Sequence, residues 1–250
     1  MHSGFAIYKA GKRTFKEAWF RAILIFFIIF AVYALIMTSE IFIRKGFFEN
    51  ISLNTSLIIN LITTVVIYII MTPLVLGQKA WHMKNAEGSP EKMGRTVYFF
   101  GRYFFKGLLF KFILMLITLT IFAISMLPCV LWLYIYMFNI INIPPAITLL
   151  LSGLCFLGGI ALFLYCRTLF ALSQYIFVIR PDIGIFRILR GSIKLMKGKR
   201  IVYLSLILRC IPAALSCIFL LPSIYSVPII NSAIAEFAFD ICGTGKTLKI

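Results

Sequence analysis

Apolar residues run along this chain in blocks too long, and too evenly apolar around the helix, for the helices of a soluble domain. Residues 22–43 form the first block, with one acid, Glu40, near its end. Residues 57–77 form the second, opened by the polar stretch "ENISLNTS". Residues 108–138 form the third, longer than one crossing requires, and Pro128 predicts a tilt or a break there. "NIINIPPA" predicts a tight turn, because Pro144-Pro145 cannot continue a preceding helix. Residues 146–166 are the fourth block, and 201–221, with Pro212 inside, the fifth. Residues 223–242 are the weakest, with Pro228, Glu236 and Asp240, and predict a sixth span or a half-inserted segment. About 20 mostly apolar residues cross a bilayer as a helix.

Composition agrees. The chain is 62% hydrophobic and 13% charged, with a mean hydropathy of +1.01, whereas soluble domains are about 45–50% apolar and about 25% charged. The expectation is an all-α polytopic membrane helical bundle of about six transmembrane helices with amphipathic cytoplasmic interfacial helices. It is read as a single integral membrane domain over 1–250. The N-terminal stretch does not read as a cleaved signal peptide, so the first span is expected to stay.

Charge sets the orientation. Lys9, Lys12, Arg13, Lys16 and Arg21 precede the first span. Lys79, Lys84, Lys92, Arg95, Arg102 and Lys106 lie between the second and third. Arg167, Arg180 and the run "RILRGSIKLMKGKR" lie between the fourth and fifth, and Lys246 and Lys249 close the tail. The alternate loops hold only Arg44 and Lys45. The positive-inside rule then predicts both termini in the cytoplasm of a bacterial cytoplasmic membrane. Gly11, Gly101 and Gly198 each open a basic approach to a span. They suggest a three-hairpin pseudo-repeat over 5–77, 95–166 and 183–242.

The run at 187–200 carries the candidate interface. Asp182 is expected to cap its helix and Gly198 to stop it. Phe186, Leu189, Ile193 and Met196 share one face, and Arg187, Arg190, Lys194 and Lys197 repeat that spacing one residue later. An apolar stripe beside a basic one predicts a helix lying in the membrane interface, against anionic lipid. Lys199 and Arg200 extend the charge, and Arg102 and Lys106, set among aromatic residues at 98–105, form a second lipid-facing stretch. Nucleic acid is disfavoured, because the basic run enters the bilayer at once.

Charges within the spans mark a possible intramembrane polar site: Arg209, Glu236 and Asp240, the two acids four residues apart on one helical face. Arg209 is expected either to pair with one of them or to reach out to the interface. His82 reads as an interfacial polar residue. The six cysteines form no metal-binding spacing and read as free thiols. "GTGKT" at 243–247 lacks the earlier glycine of a phosphate loop. With no catalytic constellation, neither an enzyme nor a cofactor is expected. Expected partners are anionic membrane lipids, with a membrane-protein partner or a second copy also open. The alternative function is a transporter or permease subunit acting with a separate ATPase.

Several boxes carry a resemblance: Pro73-Leu74 with Gly77; Tyr175 followed by Pro181-Asp182; Ser192 with Met196-Lys197-Gly198-Lys199; and "PIINSAIAEFAF". Over roughly residues 70–240 the chain resembles an uncharacterised bacterial family of multi-pass membrane proteins, catalogued as a domain of unknown function. That family is distantly similar to the membrane domain attached to some glycerophosphodiester phosphodiesterases. Two positions depart from the pattern: Lys199 stands for the usual His, and Pro144-Pro145 for the usual Pro-Gly. The resemblance implies an all-helical bundle of about six spans and no established reaction.

Overall fold

The computed structural model describes residues 3–47, 53–89, 93–138 and 144–243. "GTGKT" beyond Gly243, the tail lysines Lys246 and Lys249, and much of the "NIINIPPA" and "EGSPEK" connections lie outside the described residues. Among the described residues there is no strand. Helices α1 (Gly4–Glu17), α2 (Trp19–Phe47) and α3 (Leu53–Ala86) lead to a 3-10 helix (Met93–Phe100). Then follow α4 (Phe104–Met137), α5 (Pro145–Thr168), α6 (Ser173–Ile179), α7 (Ile185–Met196), α8 (Arg200–Ser216) and α9 (Leu220–Cys242). The chain is an all-α polytopic bundle, with five helical segments long and apolar enough to cross a membrane.

The spans pair as antiparallel hairpins. Arg44 of α2 meets Ser56 and Asn60 of α3 at one end of the bundle, and Ala22 and Ile25 pack with Trp81 at the other. In α4 and α5, Phe122 meets Phe163 edge-on at 5.4 Å between ring centroids. In α8 and α9, Ser216 Oγ and Ser226 Oγ lie 2.6 Å apart near the turn, and Tyr203 meets Phe237 at the open end.

The core collects at one end. α3 and α4 are 34 residues each, about 50 Å at 1.5 Å per residue, against about 30 Å of hydrocarbon. Their surplus length carries Leu76, Ala80, Met83, Phe110 and Leu114 into one buried cluster with α6, α7 and the basic ends of α8 and α9. Phe110 stacks on Phe177 at 4.6 Å with the rings 5° from parallel. Burying each such side chain contributes roughly 1.5–3 kcal/mol. The opposite halves expose apolar side chains such as Leu35, Phe42, Leu61, Ile124 and Leu157, as lipid-facing surfaces require.

Three expectations change. Pro128 does not break the third span, since α4 runs through it. The fifth predicted span stops early: α8 has 17 residues, at the short limit of what crosses a bilayer, and turns at 217–219 into α9. The weakest predicted segment is instead a continuous helix, and 39% of its most apolar window is buried inside the protein, against 11–17% for the other four candidates. α9 is therefore the central helix, and Ser226, Ser232 and Glu236 on it sit at protein contacts.

α1 is an amphipathic helix that the span pattern does not reveal. Ser3 accepts a hydrogen bond from the Ala6 amide as its N-cap. Gly4, Ile7, Gly11 and Phe15 make its buried face. Gly11 lies flat on α9: a Cβ there would come within 2.4 Å of the Ala233 Cα. Thr14 donates to the Glu236 carboxylate. The N-terminal helix and the C-terminal half of α9 thus meet at the same end of the bundle.

Candidate functional site

The basic run folds as α7, but its start is not where Asp182 predicts. The helix opens after Gly184, with no side-chain cap. Asp182 instead accepts a 2.7 Å hydrogen bond from the Tyr103 hydroxyl. That bond ties the two basic connections together, and it is the main cause that pushes the Tyr103 phenol above its ordinary value of 10. The stop is as expected: the last helical residue is Met196, and Gly198 takes φ +78°, a conformation glycine adopts at no steric cost.

The apolar stripe of α7 divides. Ile188, Leu189, Ser192 and Met196 are buried against the protein, so the helix is docked and does not float in lipid. Ser192 donates a 2.7 Å hydrogen bond to the Leu169 carbonyl and pins the helix to the end of α5. Phe186 and Ile193 remain outside, 76% and 39% exposed. They lie beside the exposed Arg187, Arg190, Lys194 and Lys197. At 100° per residue the helix has three faces in sequence: one to the core, a narrow apolar edge, and a basic face.

The other predicted cations separate. Arg200 donates to the Tyr165 hydroxyl at 2.7 Å and is occupied joining α8 to α5. Lys199 is half-buried. Arg102 is exposed, 5.7 Å from the Tyr103 ring centroid, and Lys106 is half-buried in the first turn of α4. Of the aromatic stretch, Phe99 and Tyr103 belong to the core, while Tyr98, Phe100 and Phe105 face outward.

The possible intramembrane site does not assemble as a pair of opposite charges. Arg209 lies 4.9 Å over the ring of Phe5 on α1 and is exposed. It makes no ion pair with Glu236 or Asp240 among the described residues. Glu236 is taken by Thr14, and Asp240 is exposed. The two acids do share a cleft of about 520 Å³ between α1 and α9, with Ala6, Ile7 and Ala10. The signal for α1 was present as Gly4, Ile7, Gly11 and Phe15 at helical spacing, masked by the neighbouring basic residues.

His82 is a correction. It is 2% exposed, not interfacial. Its Nδ1 lies 3.2 Å from Ser232 Oγ of α9, and its Nε2 is buried with no partner. Among the described residues no carboxylate orients it, and the pair fastens α3 to α9. The box residues have comparable structural roles. Gly77 lets the 3-10 helix lie on α3, Tyr175 is buried beneath the Lys79 ammonium at 4.9 Å, and Ser192 and Gly198 shape α7. Gly11, Gly101 and Gly198 occupy three different settings: a helix contact, a bend and a helix stop.

No protein-family model, no curated protein and no solved structure matches this chain.

Proposed function

We propose that this chain is a non-enzymatic integral membrane protein of a bacterial cytoplasmic membrane, both termini cytoplasmic, that presents basic interfacial helices to anionic lipid. The observation that carries this reading is the outer surface of α7. Arg187, Arg190, Lys194 and Lys197 are exposed together beside Phe186 and Ile193, and none makes an ion pair among the described residues. Unneutralised cations next to an exposed apolar edge suit a headgroup layer, where each contributes about 1 kcal/mol that salt weakens.

The test is lipid quenching. A fluorophore at Ile193→Cys, in a background without the six native cysteines, is placed in nanodiscs. Brominated phosphatidylglycerol is expected to quench it more than brominated phosphatidylcholine at equal fraction. The difference should shrink in high salt and vanish in Arg187→Gln/Arg190→Gln/Lys194→Gln. Equal quenching by the two lipids in low salt would rule the reading out.

A further inference from the structure

A second basic site lies inside the bundle, away from the exposed face of α7. A cleft of about 370 Å³ opens between α4, α5 and the start of α6. Lys111 and Gln174 line it together with Leu114, Met115, Leu119 and Phe122. The edge-on contact of Phe122 with Phe163 closes its far end. Thr118 also lines it, but its hydroxyl is spent on the Leu114 carbonyl at 2.7 Å. From Lys111 to Phe122 the cleft runs about 16 Å along α4, apolar for nearly all of its length. Met115 and Leu119 are 50% and 60% exposed, so it opens sideways along the apolar outer face of α4.

Its polar end holds Lys111, which makes no ion pair among the described residues. The charges of Arg167 and Lys79 act on Lys111 from outside the cleft, since neither of them lines it. α3 and α5 end, and α4 begins, at the same face of the bundle, and this convergence brings the three together. No carboxylate pairs with any of them among the described residues. Tyr175 gives Lys79 an aromatic face, which is not a countercharge. Gln174 lines the same cleft, and its buried Oε1 has no hydrogen-bond partner; as an acceptor it suits a headgroup hydroxyl and not a phosphate oxygen. Positive charges grouped at membrane depth are costly unless an anion joins them. Basic pockets between transmembrane helices at the bilayer surface are the kind that hold anionic headgroups.

We propose that this cleft seats one anionic phospholipid, its phosphate at Lys111 and an acyl chain along α4 toward Phe122. A soluble anion would leave the apolar length unfilled. A zwitterionic lipid would bring its own ammonium toward Lys111 and the nearby basic residues. The site rests on the reading of this chain as facing anionic lipid and gives that reading a specific seat, built from residues other than those of α7.

The experiment uses the full chain in nanodiscs of phosphatidylcholine with a minor fraction of phosphatidylglycerol. After extraction into neutral detergent, retained lipid is counted by native mass spectrometry. Wild type is expected to retain phosphatidylglycerol in preference to phosphatidylcholine. Lys111→Gln should weaken that retention about fivefold, the effect of one cation, and Lys111→Arg should preserve it. Met115→Trp, which fills the cleft and leaves the cations in place, should expel the lipid. The triple α7 variant should keep it. Equal retention of both lipids by wild type would overturn the proposal. So would unchanged retention in both Lys111→Gln and Met115→Trp, or displacement by inorganic phosphate. Failure of the α7 quenching test with Lys111-dependent retention intact would reject the α7 surface and leave the cleft standing.

Discussion

Gly77 is where the basic end of the bundle is most sensitive to a single added atom. The 3-10 helix Met93–Phe100 lies directly on α3 at this residue. A Cβ on Gly77 would come within 1.9 Å of the Thr96 carbonyl oxygen and 2.5 Å of its carbon. Both partners are backbone, so relief requires one helix to move away from the other. Overpacking of this kind costs about 1–3 kcal/mol, and the closeness of the contact favours the upper figure. Alanine recovers about 1 kcal/mol of helix propensity over glycine. The net cost for Gly77→Ala is about 2 kcal/mol, which lowers the melting temperature of a chain this size by about 4–8 °C. The control is Gly153→Ala on α5, where a Cβ meets nothing within 4 Å; it should leave stability unchanged or slightly raised. A thiol-reactive fluorogenic dye reads the transition, because Cys210 and Cys242 are buried until the bundle opens. Gly77→Ala melting with or above wild type would refute the seating of the 3-10 helix on α3.

Two other expectations follow from specific contacts. Arg44 donates to Glu40 at 2.7 and 2.9 Å and also to Ser56 and Asn60; Arg44→Ala should destabilise the α2–α3 hairpin by about 1–3 kcal/mol. Glu40→Gln in the same chain should recover part of that loss, and additive losses in a double-mutant cycle would contradict the pairing. The Tyr103 phenol, raised above 10 chiefly by its bond to Asp182, stabilises the fold fully below pH 10. That contribution is lost as pH rises through the folded value. Ultraviolet titration should therefore show one tyrosine ionising earlier in Asp182→Asn than in wild type, and identical curves would exclude the bond.

The spans were legible in sequence because transfer to lipid is a one-dimensional property: long apolar runs declare themselves without knowledge of neighbours. The stop at Gly198 was legible for a similar reason, since it depends on one residue's backbone. The cap at Asp182 was not, because its carboxylate had a competing partner 79 residues away in Tyr103. Nor was the place of α9. Its prolines and acids lower its apparent hydrophobicity, yet Ser232, Ala233 and Glu236 are contact residues for α3 and α1. Arg209 and the two acids looked like one site by depth, but α1 engages Arg209 and Glu236 separately, Phe5 beneath Arg209 and Thr14 on Glu236, and Asp240 is exposed.

By itself, then, the amino-acid sequence determined that this is an all-helical membrane bundle, where most of its spans lie, and that one set of connections is basic. Each of those follows from the cost of moving local segments and charges into hydrocarbon. Only the tertiary structure decided which half of α7 is core, that His82 is buried, and that Lys111 lines an otherwise mostly apolar cleft. Those depend on the surplus length of α3 and α4 and on close helix approaches at Gly11 and Gly77. Such contacts join residues far apart in the chain, and no local pattern encodes them.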